Sequence, residues 1–338
     1  MMETAELIKK LTGAYALSGC EDDFYDVLTS LLTPYGSVRK DEMNNVFCTF
    51  GDGYHFLLDA HTDEIGLVVT SVTEDGFIKF SASGGVDRRF LPASEVLVLG
   101  KEQLRGVICA LPPHLRSESD KKVSKISDLA VDTGLSERAL KCLVSPGDRI
   151  VFKHSFDTLC GSRIASNCLD DRCGVAALLL ALDRLKKLPV KVTVMLSAQE
   201  EVGTRGAKAG AYGIDADEAI AVDVSFGYSP QCSKEDCGAV SGGAMVGFSP
   251  VLDREISRRL ADCAKKHNIP YQTEVMSGRT GTNADVITLS RNGIKCGLIS
   301  IPLRYMHTPS EVIDIRDVES VADLIAAYIE ERAGERNA

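Results

Sequence analysis

The chain has 338 residues, 44% of them hydrophobic and 25% charged, and a formal net charge of −10. That length suggests two domains, and those proportions belong to a globular protein rather than a disordered or fibrous one. The acidic balance argues against a nucleic-acid partner, and no run is apolar for long enough to span a bilayer, so neither nucleic acid nor membrane is expected as a partner.

The first residues, MMETAELIKKLTGAYALSG, lack a basic start followed by an apolar run. No secretory signal is expected, and the expected compartment is the cytoplasm. Apolar residues at helical spacing predict helices over 3–15 and 22–32, and Pro34-Tyr35-Gly36 stops the second. Strands are predicted at 37–39 and 46–50. The near-continuous apolar run His55-Phe56-Leu57-Leu58-Asp59-Ala60 predicts a strand buried on both faces of a sheet. Between 66 and 152 the pattern changes: short Val/Ile/Leu runs at 66–72, 77–80, 95–99 and 105–110 alternate with Gly and Pro, with one short helix at 136–143. This reads as a β-rich, barrel-like insert.

Beyond 161, helices at 171–185, 203–211, 252–267, 283–292 and 316–332 alternate with strands at 191–196, 218–222, 271–276 and 296–301. Such alternation implies a layered α/β domain. The Gly/Ser-rich segment 227–247 reads as a long loop or hairpin. The expected fold class is therefore α/β, with residues 1–65 and 153–338 forming one unit and 66–152 inserted into it. The cysteines number 11, show no CxxC or zinc-finger spacing, and read as reduced, mostly buried thiols. Cys168 and Cys173 flank an acidic motif; packing is the simpler role for both.

Five segments place polar residues at the ends of apolar strands or the openings of helices. In LLDAHTDE, His61 and Asp63 stand two apart, so a carboxylate can take the second N–H of a metal-bound imidazole. In SNCLDDRCG, Asp170 and Asp171 open an apolar helix; capping explains one aspartate, and one could instead bridge two cations. In VTVMLSAQEEVG a buried strand ends in Glu200 and Glu201, which repel each other unless cations are near. One could be a ligand and the other a general base. A buried strand ends at Asp223 in AIAVDV, and His307 follows another strand in SIPLRYMHTPSE. Each alone is consistent with a solvated loop or a structural residue. Together, two imidazoles and three carboxylates gather where ligands bind α/β sheets, and they suit a pair of zinc-like ions.

AHTDEIG, NCLDDRCG, SAQEEVGTRGA, VDVS and YMHTPSE resemble, in order and spacing, the co-catalytic di-zinc aminopeptidases of the glutamyl-aminopeptidase and tetrahedral-aminopeptidase type. The likeness spans about residues 4 to 331. It implies an α/β/α catalytic domain of zinc-exopeptidase type, interrupted by a β-barrel-like dimerisation domain. It implies two divalent ions, Zn2+ or Co2+, per subunit. One is held by His61, Asp170 and Asp223 and the other by Asp170, Glu201 and His307, with Asp170 bridging and a strained, cis peptide after it. Glu200 takes the place of the general base and Asp63 that of the partner of His61. The substrates implied are short peptides cleaved at the N-terminus, and the assembly a dimer or a dodecamer of dimers. Gly281-Thr282-Asn283-Ala284 departs from the Gly-Thr-Asp-Ala of many relatives. A di-metal deacylase or amidohydrolase of small acylated molecules is the nearest rival. A glycosidase would need a metal-free carboxylate pair. A non-catalytic scaffold has no reason to keep so costly an acidic cluster.

Overall fold

The computed structural model describes residues 2–115 and 123–336. Eight strands form one sheet in the order β1 (Ser37–Lys40), β2 (Val46–Phe50), β12 (Lys191–Ser197), β3 (His55–His61), β13 (Glu218–Phe226), β16 (Lys295–Leu303), β14 (Ala244–Phe248) and β15 (Tyr271–Val275). The four central strands, β12, β3, β13 and β16, run parallel, so all their carboxyl ends lie along one edge. β3 is buried along its whole length, as its near-continuous apolar run predicts.

One face of the sheet is covered by α1 (Thr4–Thr12), α2 (Tyr25–Leu32), α4 (Leu169–Leu185), α6 (Arg254–Lys266) and α8 (Ile315–Arg336). α5 (Arg205–Tyr212) and α7 (Ala284–Ile287) cover the other. The result is an α/β/α sandwich. The middle of α4, residues 173–182, is apolar all round because it lies between the sheet and α8, and a Leu buried there contributes roughly 2 kcal/mol.

A closed barrel is inserted after β3. Its strands are β4 (Gly66–Val72), β5 (Ile78–Ser83), β8 (Val131–Asp132), β7 (Gln103–Ile108), β6 (Glu95–Leu99) and β9 (Arg149–Phe152), around a core that includes Leu67, Val69, Phe80, Val98 and Ile150. α3 (Glu137–Leu143) packs on it, capped by Ser136. A small sheet of β10 (Phe156–Thr158), β11 (Arg163–Ser166) and β17 (Glu311–Asp314) leads from the barrel to α4.

The structure corrects several sequence expectations. The segment 227–247 runs into a sheet strand, β14, whose Gly-rich start hid it. The helix expected over 283–292 is a single turn, α7. β13 does not end at Asp223 but continues to Phe226. Of the 11 cysteines, all free among the described residues, five are buried and three exposed, so burial is less general than composition suggested. Among the described residues, no helix is long and apolar enough to cross a membrane.

Candidate active site

Strand register assembles the site. Ser197 stands opposite His61, and Ala221 opposite Asp59, so Asp223 comes level with His61 two residues further along. Glu200 and Glu201 follow β12 directly. Asp170 opens α4, and Ser166 of β11 pairs with Glu311 of β17, which draws the His307 loop against the Asp170 turn. Asp170 and Asp171 themselves have non-helical dihedrals, and the regular helix begins after them. The peptide bond between them is cis. Cys168, Gln199 and His307 have φ of 49°, 56° and 60°. Left-handed backbone costs a non-glycine residue roughly 1 kcal/mol or more, and it persists where the surroundings fix it.

All five proposed ligands converge. Asp170 Oδ1 lies 3.0 Å from His61 Nε2 and its Oδ2 lies 3.4 Å from His307 Nε2. His307 Nε2 is also 3.3 Å from Glu201 Oε2. Oxygens of Asp223 and Asp171 lie with a His61 nitrogen in a group spanning no more than 4.8 Å, and His61, Asp170 and Glu201 form a second such group. Both rings are turned inwards by what their other nitrogen meets. His61 Nδ1 faces the backbone oxygen of Asp63 at 3.2 Å and its Oδ1 at 3.4 Å. His307 Nδ1 donates to Gly85 O, 3.1 Å away in the barrel insert. A Cβ at Gly85 would lie 2.7 Å from the His307 ring, so only glycine allows this approach.

Two buried carboxylates hold the backbone around these groups. Asp63 accepts from Glu200 N at 2.9 Å on Oδ1, and from Glu201 N at 3.2 Å and Ser18 Oγ at 2.7 Å on Oδ2. Glu311 accepts from Asp170 N at 3.1 Å and from His307 N at 3.0 Å. The roles of Glu311, Gly85 and Ser18 were not read from the sequence. Glu311 stood within the YMHTPSE motif without a role, and neither Gly85 nor Ser18 falls within any of the five motifs.

Electrostatically the cluster is unfavourable by itself. Burial, with neighbouring carboxylates, pushes Glu200 up to about 8 and raises Glu201, Asp171 and Asp223. Burial works against charge on the histidines, yet Asp170 and its fellow carboxylates raise His61 and push His307 up to about 11. Asp171 Oδ2 is buried without a hydrogen-bond partner. Imidazole nitrogens and carboxylate oxygens thus converge on a cavity with no lysine or arginine among its described lining residues. This donor set fits divalent zinc-type cations, whose charge would relieve the repulsion.

Asn283 lies outside this cavity's lining. Its Nδ2 donates to Asp59 Oδ2 at 2.9 Å and Ser197 Oγ at 2.8 Å, beneath the site. Asp59 is fully buried and pushed up to about 7 by that burial, so a neutral amide beside it avoids a second carboxylate. The departure at this position therefore concerns support of the strand and not the lining. Cys168 and Cys173 are buried, and burial raises both thiols, which keeps them neutral and in a packing role.

Residues 44–324 match the family described as M42 glutamyl aminopeptidase. The lysyl aminopeptidase of Pyrococcus furiosus is 32% identical over 334 residues, covering 96% of each chain. The structure of an aminopeptidase from the archaeon Desulfurococcus kamchatkensis superposes with a TM-score of 0.92 at 36% identity, covering 97% of this chain and 95% of that one. The TET1 peptidase of Pyrococcus horikoshii, which can assemble into a tetrahedron or a large octahedral shell, gives a TM-score of 0.84 at 32% identity, covering 96% and 98%. The chain belongs to the M42 glutamyl aminopeptidase family, and it is a peptide-bond hydrolase of the aminopeptidase class.

Proposed function

We propose that this chain is a metal-dependent aminopeptidase that removes residues from the free N-termini of short peptides, with Glu200 as general base. The observation that carries the reading is that the two oxygens of Asp170 each face a different histidine, as a carboxylate bridging two ions would. His61, Asp170 and Asp223 would hold one ion, and Asp170, Glu201 and His307 the other. Such ions, Zn2+ or Co2+, supply Lewis acidity toward a carbonyl and a lowered pKa for water. Asp171, which the sequence left as a cap, lies near Asp223, but one of its oxygens accepts from Gly174 N at 3.1 Å, so we assign it to the turn.

The chain's own groups do the rest. The carboxylates around the centre attract the ammonium of a peptide N-terminus and orient the first peptide bond. Glu200 takes a proton from the water that attacks the carbonyl carbon. It then returns that proton to the leaving nitrogen as the C–N bond breaks. Asp63 holds Glu200 and Glu201 through their backbone N–H groups.

We read residues 1–65 and 153–338 as the catalytic domain and 66–152 as a dimerisation insert. The assemblies of TET1 peptidase support this reading, as do Val107, Leu111 and Leu115 in the insert, 45%, 53% and 70% exposed. Val107→Glu with Leu111→Glu should then yield a smaller species by sedimentation; an unchanged assembly contradicts the role. For the activity, one peptide with a free and one with an acetylated N-terminus are followed by mass spectrometry. Stepwise loss from the free form alone is expected. Equal cleavage of both, or internal cuts, would overturn the reading, and release of the acyl group would favour a deacylase instead.

A further inference from the structure

The proposed metal centre lies where two cavities of opposite character meet. Glu200, Glu201, Gly281 and His307 line both. The first, of about 480 Å3, has Glu274 among its lining residues, and no lysine or arginine among the described ones. The second, of about 1080 Å3, carries Lys208, Arg279 and Arg291 against one acid that it does not share with the first, Asp285. A peptide crossing the centre has a cationic amino end and an anionic carboxyl end. Field complementarity therefore puts the N-terminal residue in the first cavity and sends the remainder out through the second.

Glu274 stands out within the first cavity. It comes from β15, yet its carboxylate accepts hydrogen bonds from the hydroxyls of Ser225 and Ser300, the latter at 3.0 Å. Ser225 is two residues beyond Asp223 on the same face of β13, roughly 7 Å along the strand. A lysine or arginine stem spans that interval when its backbone sits at the metal centre. Two hydroxyl donors fix the carboxylate, but among the described residues no cationic side chain acts on it, and burial raises its pKa. A half-buried carboxylate held in place without a counter-ion is completed by a cationic ligand. Glu235 and Asp236, on the rim of the same cavity, add to the attraction.

We propose that Glu274 is the specificity-determining residue of this site, and that it selects peptides whose N-terminal residue is lysine or arginine. This rests on the aminopeptidase reading above. The side-chain ammonium or guanidinium meets the Glu274 carboxylate, while the α-amino group stays with the carboxylates of the metal centre.

The test compares p-nitroanilides of lysine, arginine, leucine and glutamate on the metal-loaded protein, with Glu274→Gln beside it. In the wild type, kcat/KM for lysine and arginine should exceed that for leucine about tenfold or more, with glutamate poorest. In Glu274→Gln the lysine-to-leucine ratio should fall about tenfold, mainly through KM. A second readout needs no turnover. In a Glu200→Gln background, calorimetric titration with Lys-Ala-Ala should show tighter binding than with Leu-Ala-Ala, and adding Glu274→Gln should erase the difference. A wild-type ratio at or below one, or a ratio that Glu274→Gln leaves unchanged, overturns the assignment. If no anilide is hydrolysed, the aminopeptidase reading fails separately, and the titration still decides the role of Glu274.

Discussion

Replacing Asp63 by asparagine tests how much of the site depends on a residue that is not itself a proposed ligand. The amide offers one oxygen and one NH2 where the carboxylate offered two oxygens. At Oδ1 stand Glu200 N, 2.9 Å away, and His61 Nδ1, 3.4 Å away; at Oδ2 stand Ser18 Oγ at 2.7 Å and Glu201 N at 3.2 Å. The serine hydroxyl can rotate to accept, so the NH2 settles at the Oδ2 position and leaves Glu201 N without an acceptor. One buried unpaired donor costs about 1–3 kcal/mol. Losing the negative charge also weakens the imidazole it faces, and removing such a partner typically costs about 10–100-fold in metal affinity or activity. In urea unfolding of the metal-free protein, Asp63→Asn should therefore lose about 2 kcal/mol of stability. Its kcat/KM toward an aminoacyl anilide should fall about 10–100-fold, with zinc affinity falling alongside. A variant with wild-type zinc affinity and wild-type kcat/KM would refute this reasoning.

Other variants separate the remaining roles. Glu200→Gln should lose nearly all turnover while keeping its metal content, because an amide cannot take up the water's proton; Glu201→Gln should lose metal, and elemental analysis would reveal a swap of the two. Gly85→Ala should push on the His307 ring and lower metal affinity while leaving barrel folding intact, checked by zinc titration and circular dichroism. Far from the site, Glu218 is buried against Arg332, Tyr328 and Tyr54. Burial raises its pKa, but the hydrogen bonds from Arg332 and the two tyrosines outweigh this and hold its carboxyl below the usual range. Its stabilisation is thus present above the unfolded pKa of about 4.3 and is lost as pH falls through the lower folded value. Glu218→Gln should cost about 3 kcal/mol at pH 7, and the gap from wild type should close as the pH drops below about 4.

The legible parts of this protein were those with strong local patterns. The near-continuous apolar run of β3 and the alternation after residue 161 pointed to the layered sheet, and the Gly/Pro-punctuated runs to the barrel. His61, Asp170, Glu201, Asp223 and His307 stood out as candidates because carboxylates and imidazoles at strand ends are costly without a purpose; the choice of Asp170 over Asp171 and of Glu201 over Glu200 came from the family resemblance, and all five line one cavity. What stayed hidden depends on long-range register. Glu311 matters because β17 pairs with β11, and Gly85 because a barrel loop reaches the His307 ring. Neither pairing leaves a local mark in the sequence. β14 was missed because its Gly-rich approach read as a loop. The cis Asp170–Asp171 step was expected from the family resemblance alone, since the local pattern reads the two aspartates as caps.

The central claim is that two divalent ions held by one chain make this a working aminopeptidase. Protein stripped by a chelator is titrated with zinc or cobalt while bound metal and anilide hydrolysis are followed together. The account predicts no hydrolysis in the stripped protein and full recovery as two ions bind per chain. Full hydrolysis in metal-free protein, or a plateau reached with a single ion bound, would contradict it.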